Sequence, residues 1–245
     1  MEHEVLKDFV LEKKASKETI EKYRDKLPIE IIEVWEQYGF GSFLKGFYRT
    51  IDPDDYIEIL RATYLNNTEA IPVMTTGMGD IVTWENRKLD EVVLKYKGMM
   101  ESKNLKIGEN NVYYKMTITD DYHFELVNYR RNCSINIPRK PNFFFRDLSR
   151  EFVLHYMMDC EPYFKLIQEH GIPKYDSCFC FGPIYPEGKE LTSKVYIGNI
   201  KINADLVSQF LGPIVESMSY LDLSKKLDKI YGKNYKDELV KLDTM

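Results

Sequence analysis

The stretch Ile71-Pro72-Val73-Met74-Thr75-Thr76-Gly77-Met78-Gly79-Asp80-Ile81-Val82-Thr83-Trp84-Glu85 decides the fold class. Two short β-prone runs, Ile71 to Thr75 and Asp80 to Glu85, flank a Gly-Met-Gly turn. β-branched and aromatic residues suit a pleated, half-buried surface, and closely spaced glycines punctuate it. A third such run covers Glu91 to Tyr96. Val112 to Ile118 and Tyr122 to Val127 read as a hairpin across Thr119-Asp120-Asp121. The expectation is an α+β fold with a mixed or antiparallel central sheet and helices packed on it.

Upstream, residues 1–26 are charged and helix-prone. Leu27-Pro28 opens a clearer helix, in which Ile31, Val34, Trp35 and Tyr38 share one face. Pro28 suits the first turn and Gly39 the position past the end. Gly39-Phe40-Gly41-Ser42-Phe43-Leu44-Lys45-Gly46 lacks the G-K-[ST] ending of a phosphate loop and follows a helix, so it reads as a turn feeding a strand, Phe47 to Ile51. In Asp52-Pro53-Asp54-Asp55 the first residue is placed to cap a helix and Pro53 to open it. Asp54 and Asp55 then sit where the helix dipole favours negative charge. The same three aspartates admit a metal reading, but capping accounts for each position.

Pro138 and Pro141 mark a boundary, which predicts two units, residues 1–138 and a smaller α+β unit over 139–245 packed on the first. In the second, Phe143 to Met158 reads as a helix, with Leu148, Phe152, His155 and Tyr156 at helical spacing. Tyr163 to His170 is another, ended by Gly171. Strands follow at Ser177 to Phe181 and Val195 to Ile200, then a helix at Ala204 to Leu211. Two polar helical stretches, Asp222 to Tyr231 and Lys236 to Leu242, close the chain.

The 245 residues are 44% hydrophobic and 30% charged, an ordinary globular composition that can bury a core without staples. The net charge of −5 speaks against nucleic acid as a direct partner and for a basic one. Arg130-Arg131 and Arg139-Lys140 read as a solvated edge. The first residues carry no apolar run of signal-peptide length, and no stretch is long enough to span a membrane, so a cytoplasmic protein is expected. Cys178-Phe-Cys180 puts two thiols on one strand face, yet no second ligand pair completes a zinc set. Reduced, buried thiols are the better reading, for these two as for Cys133 and Cys160.

A catalytic reading finds little purchase. His3 lies in a tail, His123 in an alternating strand, His155 on an amphipathic helix and His170 at a helix end. No serine sits in a G-x-S-x-G context. Neither a cofactor fingerprint nor a metal motif is present, so no enzymatic activity and no cofactor are expected.

The order of short motifs is more informative than any one of them. Leu27-Pro28, Trp35, Tyr38-Gly39, Gly46-Phe47, Asp52-Pro53-Asp54-Asp55-Tyr56, Ile71-Pro72 and Gly79-Asp80-Ile81-Val82-Thr83-Trp84 together resemble a GAD-like domain. His170-Gly171, Tyr175 to Pro183 and Val195 to Phe210 resemble the small domain that accompanies it. Proteins of this two-part kind are similar to immunity proteins of type VI secretion systems. That resemblance implies binding and neutralisation of a cognate antibacterial toxin, a DNase in the best-known group. The chain departs from the pattern at Glu187-Gly188-Lys189, where the family carries Gly-Gly, which leaves the toxin's identity open. A basic toxin would be met by acidic residues, and Asp54, Asp55, Asp80, Asp120 and Asp121 are the candidates for that face. Two other functions fit the same architecture: a regulatory protein- or ligand-binding module, and a hydrolase whose site is not legible.

Overall fold

A computed structural model describes residues 4–86, 122–137, 139–182, 194–215 and 217–218, without the side chains of Phe152, Tyr156 and Ser217. The first half runs β1 (Val10–Lys13), α1 (Lys17–Tyr23), α2 (Ile29–Tyr38), β2 (Phe40–Phe43), β3 (Tyr48–Thr50), α3 (Ile57–Thr63), β4 (Ile71–Thr76), β5 (Ile81–Asn86), β6 (Tyr122–Asn128) and β7 (Cys133–Ile137). Then come α4 (Pro141–Asp147), a π-helical segment (Phe152–Met157), α5 (Glu161–His170), β8 (Ser177–Gly182), β9 (Lys194–Asn199), α6 (Ile200–Leu211) and β10 (Ser217–Met218).

Eight strands form one sheet in the order β1-β2-β3-β4-β5-β6-β7-β10. Neighbours from β1 to β7 are antiparallel, and β10 joins β7 in parallel. β8 and β9 make a separate antiparallel pair. The α+β expectation holds. The Gly-Met-Gly segment is the turn between β4 and β5. Gly79 has φ +83°, the left-handed region that favours glycine, and Gly77 lies so close to the Tyr163 ring that a Cβ would sit 2.1 Å from it.

Strand alternation sorts β5 and β6 into two faces. Val82, Trp84, Phe124 and Leu126 join the larger core, with residues of α1, α2 and α4. Ile81 and Val127 point the other way, to a second cluster with Tyr64, Ile200, Ala204 and Val207. The larger core also runs across residue 138: Phe144, Phe145, Leu148, Tyr163 and Phe179 belong with Trp35, Phe43 and Phe47. Phe124 and Phe144 stack with ring centroids 3.7 Å apart. The chain on both sides of 138 thus shares one core and, through β7 and β10, one sheet.

Three local expectations change. The helix-prone start contains a strand, β1, because edge pairing with β2 overrides local propensity. The glycine-rich segment after α2 is itself a strand, β2, and its turn begins only at Leu44 and Lys45, both at positive φ. The single helix over Phe143 to Met158 is broken after Asp147, where that carboxylate gathers Arg139, Arg146 and Arg150. Elsewhere the reading holds. α2 ends on Gly39 at φ +78°, and Asp52 caps the turn Pro53–Asp55 by accepting the Asp54 N–H, although that turn is 3₁₀ and α3 begins only at Ile57. Glu91 to Tyr96, Val112 to Ile118, the Asp120-Asp121 turn and the two polar stretches after residue 221 lie outside the described residues. No helix among the described residues is long and apolar enough to cross a membrane.

Candidate interaction surface and buried polar clusters

Of the aspartates proposed for a partner-facing surface, Asp54 and Asp55 are exposed and Asp80 is buried. Asp54 accepts both contacts of Lys22 Nζ, at 2.6 and 2.7 Å, and the Tyr23 hydroxyl at 2.6 Å. Burial raises its carboxyl, but the bonds from Lys22 and Tyr23 outweigh that and hold it below the usual carboxylate range. Asp55 is exposed and lies 3.9 Å from Lys13 Nζ. Asp80 has no exposed surface at all, so it cannot meet a partner. Inside the β4–β5 turn its backbone N–H donates to Thr76 Oγ1, and the Thr76 hydroxyl donates to Asp80 Oδ2. Asp120 and Asp121 are outside the described residues.

Asp80 instead anchors an ion network that sequence reading missed. The Arg130 guanidinium donates to Asp80 Oδ2 through Nε at 3.2 Å and Nη2 at 2.8 Å. It also donates to Asp159 Oδ2 at 3.1 Å and to the Met158 and Asp159 carbonyls. Arg131 Nη2 reaches the same Asp159 oxygen at 2.7 Å. Arg130-Arg131 is therefore not a solvated edge, and neither is Arg139, which is buried beside Asp147. Burial pushes the Asp80 carboxyl up, and Arg130 opposes it. Burial also acts against the charge of Arg130, yet Asp80 and Asp159 outweigh it and hold the guanidinium firmly protonated. Two acids and two guanidiniums leave the network neutral, the condition under which buried charge is tolerated.

Two further groups could hold a metal ion: Glu85, His123 and Glu125, all buried, and His155, Cys160 and Glu161. The first was hidden in the pattern. Thr83-Trp84-Glu85 and His123-Phe124-Glu125 are each ordinary alternating strand sequence, and only cross-strand pairing of Glu85 with His123 and Thr83 with Glu125 makes them a cluster. In the second, His155 Nδ1 contacts Glu161 Oε1 directly. Cys178 and Cys180 are buried free thiols with sulfurs 3.7 Å apart on one strand face, as their spacing requires.

The surface offers a different feature. α6 starts at Asn199, whose side chain accepts the N–H groups of Lys201 and Ile202. Ile200, Ala204 and Val207 bury one face against the sheet. Ile202, Leu206 and Phe210, four residues apart, form a second apolar face that is 62%, 36% and 73% exposed. Val215 and Leu65, also exposed, follow where the Leu65 N–H donates to the Ile214 carbonyl. A helix with one buried and one exposed apolar stripe presents more hydrophobic surface than its own fold uses.

Residues 3–97 match the GAD-like domain. The crystal structure of Atu4351 from Agrobacterium tumefaciens has a similar fold. Its TM-score is 0.51 at 11% identity, covering 83% of this chain and 86% of that one. No curated protein matches the sequence.

Proposed function

We propose that the protein is an immunity protein, which binds and silences a cognate antibacterial toxin of type VI secretion inside the cell that makes both. The observation that carries the reading is the exposed ladder Ile202, Leu206 and Phe210 on α6. Large apolar and aromatic anchors on a rigid helix are what a protein partner buries at the centre of an interface. The GAD-like match over residues 3–97 is to the domain on which the resemblance to immunity proteins rests. The net charge of −5 suits a basic partner such as a DNase, whose phosphate-binding groove is cationic. The Glu85, His123 and Glu125 cluster is buried, which favours a role in binding over one in catalysis.

The test is co-expression with the toxin encoded beside its gene. Survival and co-purification are expected. Phe210→Glu and Ile202→Glu are expected to lose most of the binding while unfolding as the parent does, since both side chains are exposed. A toxin that neither binds nor is neutralised removes the reading. A homodimer held together by this same α6 face would also remove it, by giving the ladder another occupant.

A further inference from the structure

The geometry points to a structural divalent-metal site on the α3 side of the sheet, formed by Glu85 of β5 with His123 and Glu125 of β6. The three residues come from two paired strands. Glu85 stands directly opposite His123, and Glu125 follows two residues later on the same face. Their ligand atoms all lie within 4.8 Å of one another. Glu85 and Glu125 are 1% and 0% exposed.

The spacing fits an ion better than hydrogen bonds. His123 Nε2 lies 3.3 Å from Glu125 Oε2 and 3.7 Å from Glu85 Oε1. A charge-assisted hydrogen bond would close to about 2.8 Å. Ligand atoms set about 2.1 Å from a tetrahedral ion lie about 3.4 Å from each other, between the 3.3 and 3.7 Å seen from His123 Nε2. His123 is 7% exposed, and among the described residues neither of its ring nitrogens has a hydrogen-bond partner. A buried imidazole aimed between two carboxylates without a hydrogen bond to either leaves its own ring nitrogens uncompensated.

Charge gives the second argument. Two buried carboxylates side by side on one sheet face repel each other. A divalent ion set between them would offset that repulsion. The supporting shell is in place. Tyr64 donates to Glu85 Oε1 at 3.1 Å and Thr83 to Glu85 Oε2 at 3.1 Å, each leaving that oxygen a further lone pair for the metal. One imidazole with two carboxylates suits Zn²⁺ or another first-row ion and not Ca²⁺, which takes more oxygens. Since the site is closed, the ion would clamp β5 to β6 and tie both to the end of α3 through Tyr64.

The test uses the full chain, stripped with a chelator and titrated with Co²⁺ and Zn²⁺. One equivalent of Co²⁺ with visible d–d absorption is expected, and one equivalent of Zn²⁺ should raise the unfolding temperature. His123→Asn and Glu125→Gln should each weaken binding by about tenfold or more, and His155→Asn, in the other cluster, should not. The His123 ring resonances of the unaltered protein should shift on adding Zn²⁺, a readout that needs no variant to fold. Failure of the folded wild-type chain to take up either ion overturns the assignment. So does uptake that His155→Asn abolishes and His123→Asn spares, or that leaves the His123 resonances unmoved.

Discussion

Replacing Arg130 with methionine tests whether the fold depends on its buried ion network. The side chain is 4% exposed and Asp80 is 0%, so water cannot replace the lost bonds without opening the core. The network holds Asp80 and Asp159 against Arg130 and Arg131, and removing one cation leaves a net charge of −1. Arg131 stays with Asp159, so Asp80 carries the deficit, with Thr76 Oγ1 at 3.4 Å as a remaining donor. Breaking a buried pair from one side costs about 3–5 kcal/mol. At this chain length each kcal/mol lowers the unfolding temperature by about 2–4 °C, so a fall of roughly 6–20 °C is expected. Adding Asp80→Asn restores neutrality, and the double variant should recover about 1–3 kcal/mol. Urea unfolding followed by the fluorescence of Trp35 and Trp84, both buried, measures all three proteins. A single variant within about 1 kcal/mol of the parent would refute the reasoning, because it would mean Asp80 is not left as an uncompensated charge. Strict additivity of the two substitutions would refute it as well.

Gly77→Ala should cost about 1–3 kcal/mol, read from the same urea curves. The new methyl meets the Tyr163 ring, which is held by its hydroxyl's 2.8 Å bond to the Lys45 carbonyl and by Phe47 and Phe179. Burial pushes Tyr56 and Tyr163 up to about 12 from the usual 10. The folded state therefore prefers the neutral phenols. That stability is complete below pH 10 and is lost as pH rises through about 12. Phenolate absorbance should lag a free-tyrosine titration until the chain unfolds, and ionisation of every tyrosine near pH 10 in the folded state would contradict this. Cys133, Cys160, Cys178 and Cys180 are all buried, so a thiol reagent should react slowly with the native protein and with all four after denaturation. Prompt reaction of any thiol in the native state would show that its site is open.

Much of the fold was legible because it is encoded in neighbours along the chain. The β4–β5 hairpin, the α2 helix with its glycine stop and the Asp52 cap each depend on residues within a few positions. β1 and β2 were missed because nothing in Val10–Lys13 or Phe40–Phe43 is strongly strand-like. They are strands because each pairs with the other and β2 also pairs with β3. Asp80, expected on a partner-facing surface, was misjudged for a related reason. An aspartate in a turn looks the same in sequence whether its carboxylate faces water, as with Asp55, or an arginine fifty residues away, as with Asp80.

The sequence by itself determined the α+β class, the hairpin, the absence of a metal or nucleotide motif with standard spacing, and the ordered motifs that match a GAD-like domain over residues 3–97. Tertiary structure alone decided which charges are buried, which carboxylates stand beside His123, and that the outer face of α6 is left uncovered. The division follows from range. Backbone conformation responds to local sterics and period, which the residues display in order. Burial and charge pairing depend on which distant segments the sheet brings together, and the register of β5 on β6 is what sets Glu85 opposite His123.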